Sequence, residues 1–138
     1  YRAWGTDIID QDTPIEAGLG FAVDFTKSDF IGKTALLKQR GKKINKRLVM
    51  FRLDDSDILL LGEEPIYRNG DLVGRTTSAN FGHTLGCSVA MGYLEAEDGV
   101  SKEYIKEGLY QIELMGEKHT AQASLKPFYD PKGSKINH

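Results

Sequence analysis

The side chains in this sequence best able to carry chemistry are three histidines (His83, His119 and His138), a single cysteine (Cys87) and two pairs of adjacent acids, Asp54-Asp55 and Glu63-Glu64. A hydrolytic triad needs a serine, a histidine and an acid within mutual reach. None of the histidines lies in a nucleophile-elbow pattern beside a serine. His119 falls in the middle of a strand pattern and His138 at the terminus, positions that suit ordinary surface roles. The paired acids flank turns, and neighbours on a strand point to opposite faces, so they read as solvating charges and not as a carboxylate dyad. Cys87 has no partner for an internal disulfide, and no Cys or His stands at zinc-finger spacing, which fits a reducing compartment. Gly82-His83-Thr84-Leu85-Gly86 could cradle an anion on backbone N–H groups. It lacks the Lys and Ser or Thr of a P-loop and the three-glycine dinucleotide spacing, and reads as a loop between strands. No catalytic residue and no metal ligand is expected.

The elements around these residues are short. Gly5, Pro14, Gly18, Gly20 and Gly32 punctuate residues 1–32 and favour turns, with Gly20 to Phe25 predicted as a strand. Lys33 to Arg40 is built of helix formers with basic residues in its last turn, and Gly41 supplies a C-cap. Arg47 to Leu53 has the apolar and β-branched content of a strand. Pro65 to Arg68, Asn69-Gly70 and Asp71 to Thr76 spell a β-hairpin, because Asn-Gly tolerates the positive φ angles of a type I′ turn. Ser88 to Leu94 is a further strand, and Ser101 caps a short helix over residues 102–107 that stops at Gly108. Leu109 to Met115 and Lys118 to Leu125 flank a second tight turn, placed at Gly116-Glu117. Many short strands with regular turns imply a small antiparallel barrel or sandwich, with most of the aromatic residues in its core.

With 138 residues the chain suits one domain. Its 18 Lys and Arg against 20 Asp and Glu leave a net charge of −2, which implies no strong attraction to nucleic acid or membrane. No apolar run approaches the roughly 18–20 residues that span a bilayer. The opening Tyr1-Arg2-Ala3-Trp4 has neither an initiator Met nor a signal-peptide pattern, so the chain is expected to have been cut from something longer.

Several stretches in order resemble motifs of the glycine-cleavage T-protein (aminomethyltransferase) superfamily. They are Tyr1 to Ile8, Thr13 to Phe21, Asp29 to Leu36, Arg47-Leu48-Val49, Val73-Gly74 with Thr77-Ser78, Leu85-Gly86, Ala90-Met91-Gly92-Tyr93 and Pro127-Phe128-Tyr129-Asp130-Pro131. Within it, Tyr1-Arg2-x-Trp4-Gly5, Glu64-Pro65-Ile66-Tyr67 and Gly82 to Gly86 are most similar to bacterial dimethylglycine and sarcosine dehydrogenases. In such fusions an FAD-dependent portion strips an N-methyl group and a T-protein-like portion captures the one-carbon unit on tetrahydrofolate.

The resemblance implies a mainly β fold with one or two short helices, a small antiparallel β-barrel of the T-protein C-terminal type. Residues 1–32 would be the tail end of a folate-binding domain and its connection, and residues 33–138 the barrel. The family's catalytic aspartate, its main folate-binding acid and arginine, and the FAD-binding domain would lie upstream of Tyr1. The expected partner is that upstream folate-binding domain of the same polypeptide. Tyr1, Arg2, Trp4 and Tyr129 would line the tetrahydrofolate cavity, an Arg pairing with the folate carboxylate and a Tyr or Trp stacking on the pterin, or would pack the domain against its neighbour. Trp4 is open between core and interdomain face. The implied location is the bacterial cytoplasm or the mitochondrial matrix. Two alternatives remain: a regulatory or structural module on the same fold, and an unfused aminomethyltransferase or folate-dependent demethylase.

Overall fold

The computed structural model describes residues 1–135, so the expectation for His138 lies outside the described residues. Eight regular elements and one 3-10 turn follow in order: the turn Gly20–Ala22, α1 (Lys33–Arg40), β1 (Lys46–Leu53), β2 (Pro65–Arg68), β3 (Asp71–Gly82), β4 (Cys87–Glu95), α2 (Lys102–Glu107), β5 (Tyr110–Leu114) and β6 (Glu117–Ser124). The strands close into one antiparallel barrel in the order β1-β4-β3-β2-β5-β6, with β6 returning to β1. Closure removes every sheet edge that could otherwise pair with another chain.

Alternation along the strands fills the interior. Val49, Phe51 and Leu53 of β1 meet Ile66 of β2, Ala90 and Leu94 of β4, Tyr110 and Ile112 of β5 and Ala121 of β6 in one core. Phe51 and Tyr110 pack edge to face at 5.7 Å between centroids. Ile105 of α2 joins this core, and the Ser101 hydroxyl accepts the Tyr104 N–H, capping that helix as its sequence predicts. Tyr93 is buried as well, but several other aromatic residues expected in the core are not: Phe25, Phe30, Tyr67, Phe81 and Phe128 are half-buried and Phe21 is exposed. Trp4, open by sequence between core and interdomain face, is exposed. A six-stranded barrel interior is narrow and takes few rings.

The Asn69-Gly70 turn has φ of 53° and 96°, both positive as type I′ requires. Gly70→Val should therefore cost about 1–3 kcal/mol by forcing a β-branched residue into this region. An unchanged urea midpoint for that variant would remove the turn assignment. The second hairpin turns one residue earlier than the sequence implies, with positive φ at Met115 and Gly116 and β6 already starting at Glu117. Glycine takes the second central position here as in the first hairpin, so it fixes the turn as Met115-Gly116.

Residues 1–45 contain no barrel strand and lie alongside the barrel. The strand predicted over Gly20 to Phe25 is instead the 3-10 turn followed by irregular chain. The closed barrel leaves it no edge to join. The segment is fastened at several points. Thr13 and Glu16 bond each other's backbone N–H reciprocally, the Glu16 carbonyl accepts the Leu48 N–H at 2.8 Å, and Gln39 of α1 donates to the Glu16 carboxylate at 3.0 Å. Asp12 pairs with Lys46 at 2.7 Å, and Lys46 also sits 4.4 Å above the Tyr93 ring.

Candidate functional site: a cleft under Tyr1 and Tyr129

β1 and β4 pair with Met50 opposite Met91. Because Val49 and Phe51 face the core, Met50 points outward. A cleft of about 510 Å³ opens on this outer surface, with Met50, Val89 and Met91 from the sheet and Tyr1, Phe128 and Tyr129 from the two ends of the chain. Ser78 and Asn80 of β3 add an aliphatic hydroxyl and an amide to its lining. The C-terminal tail is held against the barrel partly by Phe128, whose ring lies 5.6 Å from the Arg52 guanidinium.

Asp130 organises the tail beyond this point. Its carboxylate accepts from the Ser134 N–H and hydroxyl and from the Lys135 N–H, and these bonds hold its pKa below the usual aspartate value. The turn brings the Lys135 ammonium to 3.2 Å from the Tyr129 hydroxyl, so a cation sits on one of the aromatic walls of the cleft.

The four residues expected to contact folate do not all converge. Tyr1, fully exposed, and Tyr129, 45% exposed, line the same cleft. Arg2 does not line it. Its guanidinium lies against Gly18, where a Cβ would come within 3.2 Å of it, and its Nε is buried without a hydrogen-bond partner. Trp4 is 75% exposed on the N-terminal segment, forming a bridge with Ile8. Phe21, Ile31 and Leu37 are also exposed apolar residues of this segment and α1. Among the described residues no cluster of His, Cys, Asp and Glu could hold a metal ion. His83 is exposed and edge-on to Phe81, and His119 is half-buried on β6.

Two buried carboxylates were not legible as such. Glu64, read as a solvating charge, is 5% exposed and accepts the N–H groups of Leu61 and Gly62 and the Thr76 hydroxyl. Asp7 is 1% exposed. β3 carries one extra residue relative to β4 between Thr76 and Ala79, and this bulge turns Thr77 and Ser78 toward Asp7. The carboxylate accepts both hydroxyls, the Ser78 N–H at 3.2 Å and the Ala3 N–H at 2.8 Å. Burial alone would push its pKa up, but these bonds outweigh it and hold the pKa below the ordinary value. The Tyr93 hydroxyl donates to the Asp7 carbonyl at 3.0 Å, and burial with the nearby Asp12 and Glu16 carboxylates raises the Tyr93 pKa strongly.

A closed six-stranded antiparallel barrel with an N-terminal segment clamped along its side and a C-terminal tail over one face defines a small β-barrel domain class. Residues 46–130 match the model of the glycine cleavage T-protein C-terminal barrel domain, and the chain belongs to that family. It is 37% identical over 139 residues to mitochondrial sarcosine dehydrogenase of Mus musculus, covering 99% of this chain and 15% of that protein. It is 40% identical over 139 residues to the mitochondrial pyruvate dehydrogenase phosphatase regulatory subunit of the same organism, covering 92% of this chain and 16% of that protein. Among solved structures, the glycine cleavage system aminomethyltransferase T of Bartonella henselae superposes with a TM-score of 0.78 at 27% identity, over 95% of this chain and 36% of that one. The chain thus spans well under half the length of each protein it resembles. Among the described residues no helix is long and apolar enough to cross a membrane.

Proposed function

We propose that this chain is the C-terminal barrel of a tetrahydrofolate-dependent one-carbon transfer polypeptide fused to an FAD-dependent N-methyl amine dehydrogenase, and that it forms one wall of the folate site. In this reading residues 1–32 end the folate-binding domain and its connection, residues 33–138 form the barrel, and the exposed Trp4 and Phe21 face the preceding domain. The observation that carries it is the cleft shared by Tyr1 and Tyr129, on a chain that resembles sarcosine dehydrogenase along nearly its whole length.

The donor set suits part of a folate. Thioethers and aromatic rings favour a flat ring, and Lys135 offers a charge-assisted hydrogen bond to a carboxylate. Tetrahydrofolate supplies the nitrogen nucleophiles that accept a one-carbon unit. The residues of this chain would orient that ligand and exclude water from it. Neither a dinucleotide fingerprint nor a nucleophile-elbow pattern stands in this sequence, and in this reading FAD and catalysis belong to other parts of the polypeptide.

The test is tetrahydrofolate affinity by calorimetry. In the full-length polypeptide Tyr129→Ala should weaken binding about tenfold, equivalent to about 1.4 kcal/mol, while the 138-residue chain alone should show no micromolar binding. Micromolar binding to this chain alone would overturn the single-wall reading. A full-length polypeptide that binds no folate would favour the second reading, a regulatory module, which the 40% identity to a phosphatase regulatory subunit supports.

A further inference from the structure

Asp7 is deeply buried, has no counter-cation among its hydrogen-bond partners, and is absent from the cleft lining. Its partners, however, lead into the cleft from two sides. Ala3, whose N–H it accepts at 2.8 Å, follows Tyr1 by two residues. Ser78, whose hydroxyl donates to it at 2.8 Å, itself lines the cleft. The Thr77 hydroxyl, also on Asp7, lies 3.3 Å from the Met91 carbonyl on the strand beneath. The bulge that creates these contacts lies only in β3; β4 runs on regularly from Met91 to Gly92 opposite β1. The extra β3 residue thus aims two hydroxyls at the N-terminal segment.

We propose that Asp7 is a positioning residue for the cleft: by clamping Ala3 to the Thr77–Ser78 bulge it sets Tyr1 over the Met50–Met91 surface, and so governs ligand affinity without touching the ligand. The ligand part of this inference rests on the folate reading above; the coupling part does not. A carboxylate suits the task because it accepts from four donors on two chain segments at once, two backbone N–H groups and two hydroxyls. Asparagine keeps one acceptor oxygen and turns the other position into a donor, so it weakens the clamp with little change in shape. Alanine removes it.

The chain has three methionines, and they are placed to read this. Met50 and Met91 line the cleft, while Met115 is exposed at the β5–β6 turn. In the 138-residue chain labelled with 13C at the methionine methyls, Asp7→Asn should shift the Met50 and Met91 signals and leave Met115 in place, with Asp7→Ala shifting the same two further. If Asp7→Ala fails to fold, Asp7→Asn decides. Shifts at none of the three, or equally at all three, in Asp7→Asn overturn the proposal, the latter by showing a global effect. In the full-length polypeptide Asp7→Asn should weaken tetrahydrofolate about tenfold with kcat unchanged once folate saturates. Unchanged affinity against a binding wild type sinks the ligand part. A wild type that binds no folate sinks the folate reading alone, and the methionine shifts still decide the coupling.

Discussion

Gly74→Ala is expected to prevent the barrel from closing, with loss of a cooperative urea transition or a destabilisation greater than about 3 kcal/mol. A Cβ on Gly74 would lie 1.9 Å from the Tyr93 carbonyl oxygen and 3.0 Å from its carbon. Both are backbone atoms of β4, so no side chain can rotate away. Gly92, across the same ladder, is similarly placed: its Cβ would fall 2.5 Å from the Arg75 carbonyl oxygen and 2.7 Å from the Ile66 Cδ1. The two glycines let the paired backbones of β3 and β4 approach closely. Gly20→Ala is the control, because a Cβ there meets nothing within 4 Å, and its urea midpoint should match wild type. A Gly74→Ala protein that unfolds at the wild-type midpoint would mean that β3 and β4 are further apart than described.

Local chemistry made much of this fold readable in advance. The Asn69-Gly70 turn, the Ser101 cap and the helix over Lys33–Arg40 each depend on a few adjacent residues, and each occurs where its sequence indicates. The barrel itself came from resemblance, since short alternating strands fit a sandwich equally well. Errors arose where the deciding partner is distant in sequence. Gly20 to Phe25 has strand composition, but the closed sheet offers no edge for it. Asp7 resembles any loop acid, and its donors Thr77 and Ser78 lie 70 and 71 residues further on. The β3 bulge that aims them is a property of pairing with β4, and one strand's sequence does not reveal it. Of the site, Tyr1 and Tyr129 came from family likeness alone. Their sharing a cleft with Met50 and Met91 depends on the barrel register, which pairs those methionines, and on the path of the segments that carry Tyr1 and Tyr129.

Glu64→Ala should be the second most damaging substitution, at about 3–5 kcal/mol, comparable to removing one member of a buried charged network. Gly62 and Glu63 both have positive φ, of 107° and 67°. They turn the Leu61 and Gly62 N–H groups inward, where the Glu64 carboxylate accepts them at 2.6 and 2.9 Å. The Thr76 hydroxyl donates to the same carboxylate and accepts the Glu64 N–H at 2.8 Å, while Thr76 N–H and Glu64 carbonyl pair at 2.9 Å. This carboxylate therefore closes the 54–64 loop onto β3 just before the strand reaches its bulge. Alanine strands three donors in a site with little access to water, at about 1–3 kcal/mol for each that finds no substitute. Glutamine keeps one acceptor oxygen, and the Thr76 hydroxyl can reorient to accept from its amide. Glu64→Gln should thus cost much less than Glu64→Ala, about 1 kcal/mol. Chemical denaturation of both variants checks the ordering. Equal and small losses would show that water reaches these donors and that the loop does not depend on Glu64.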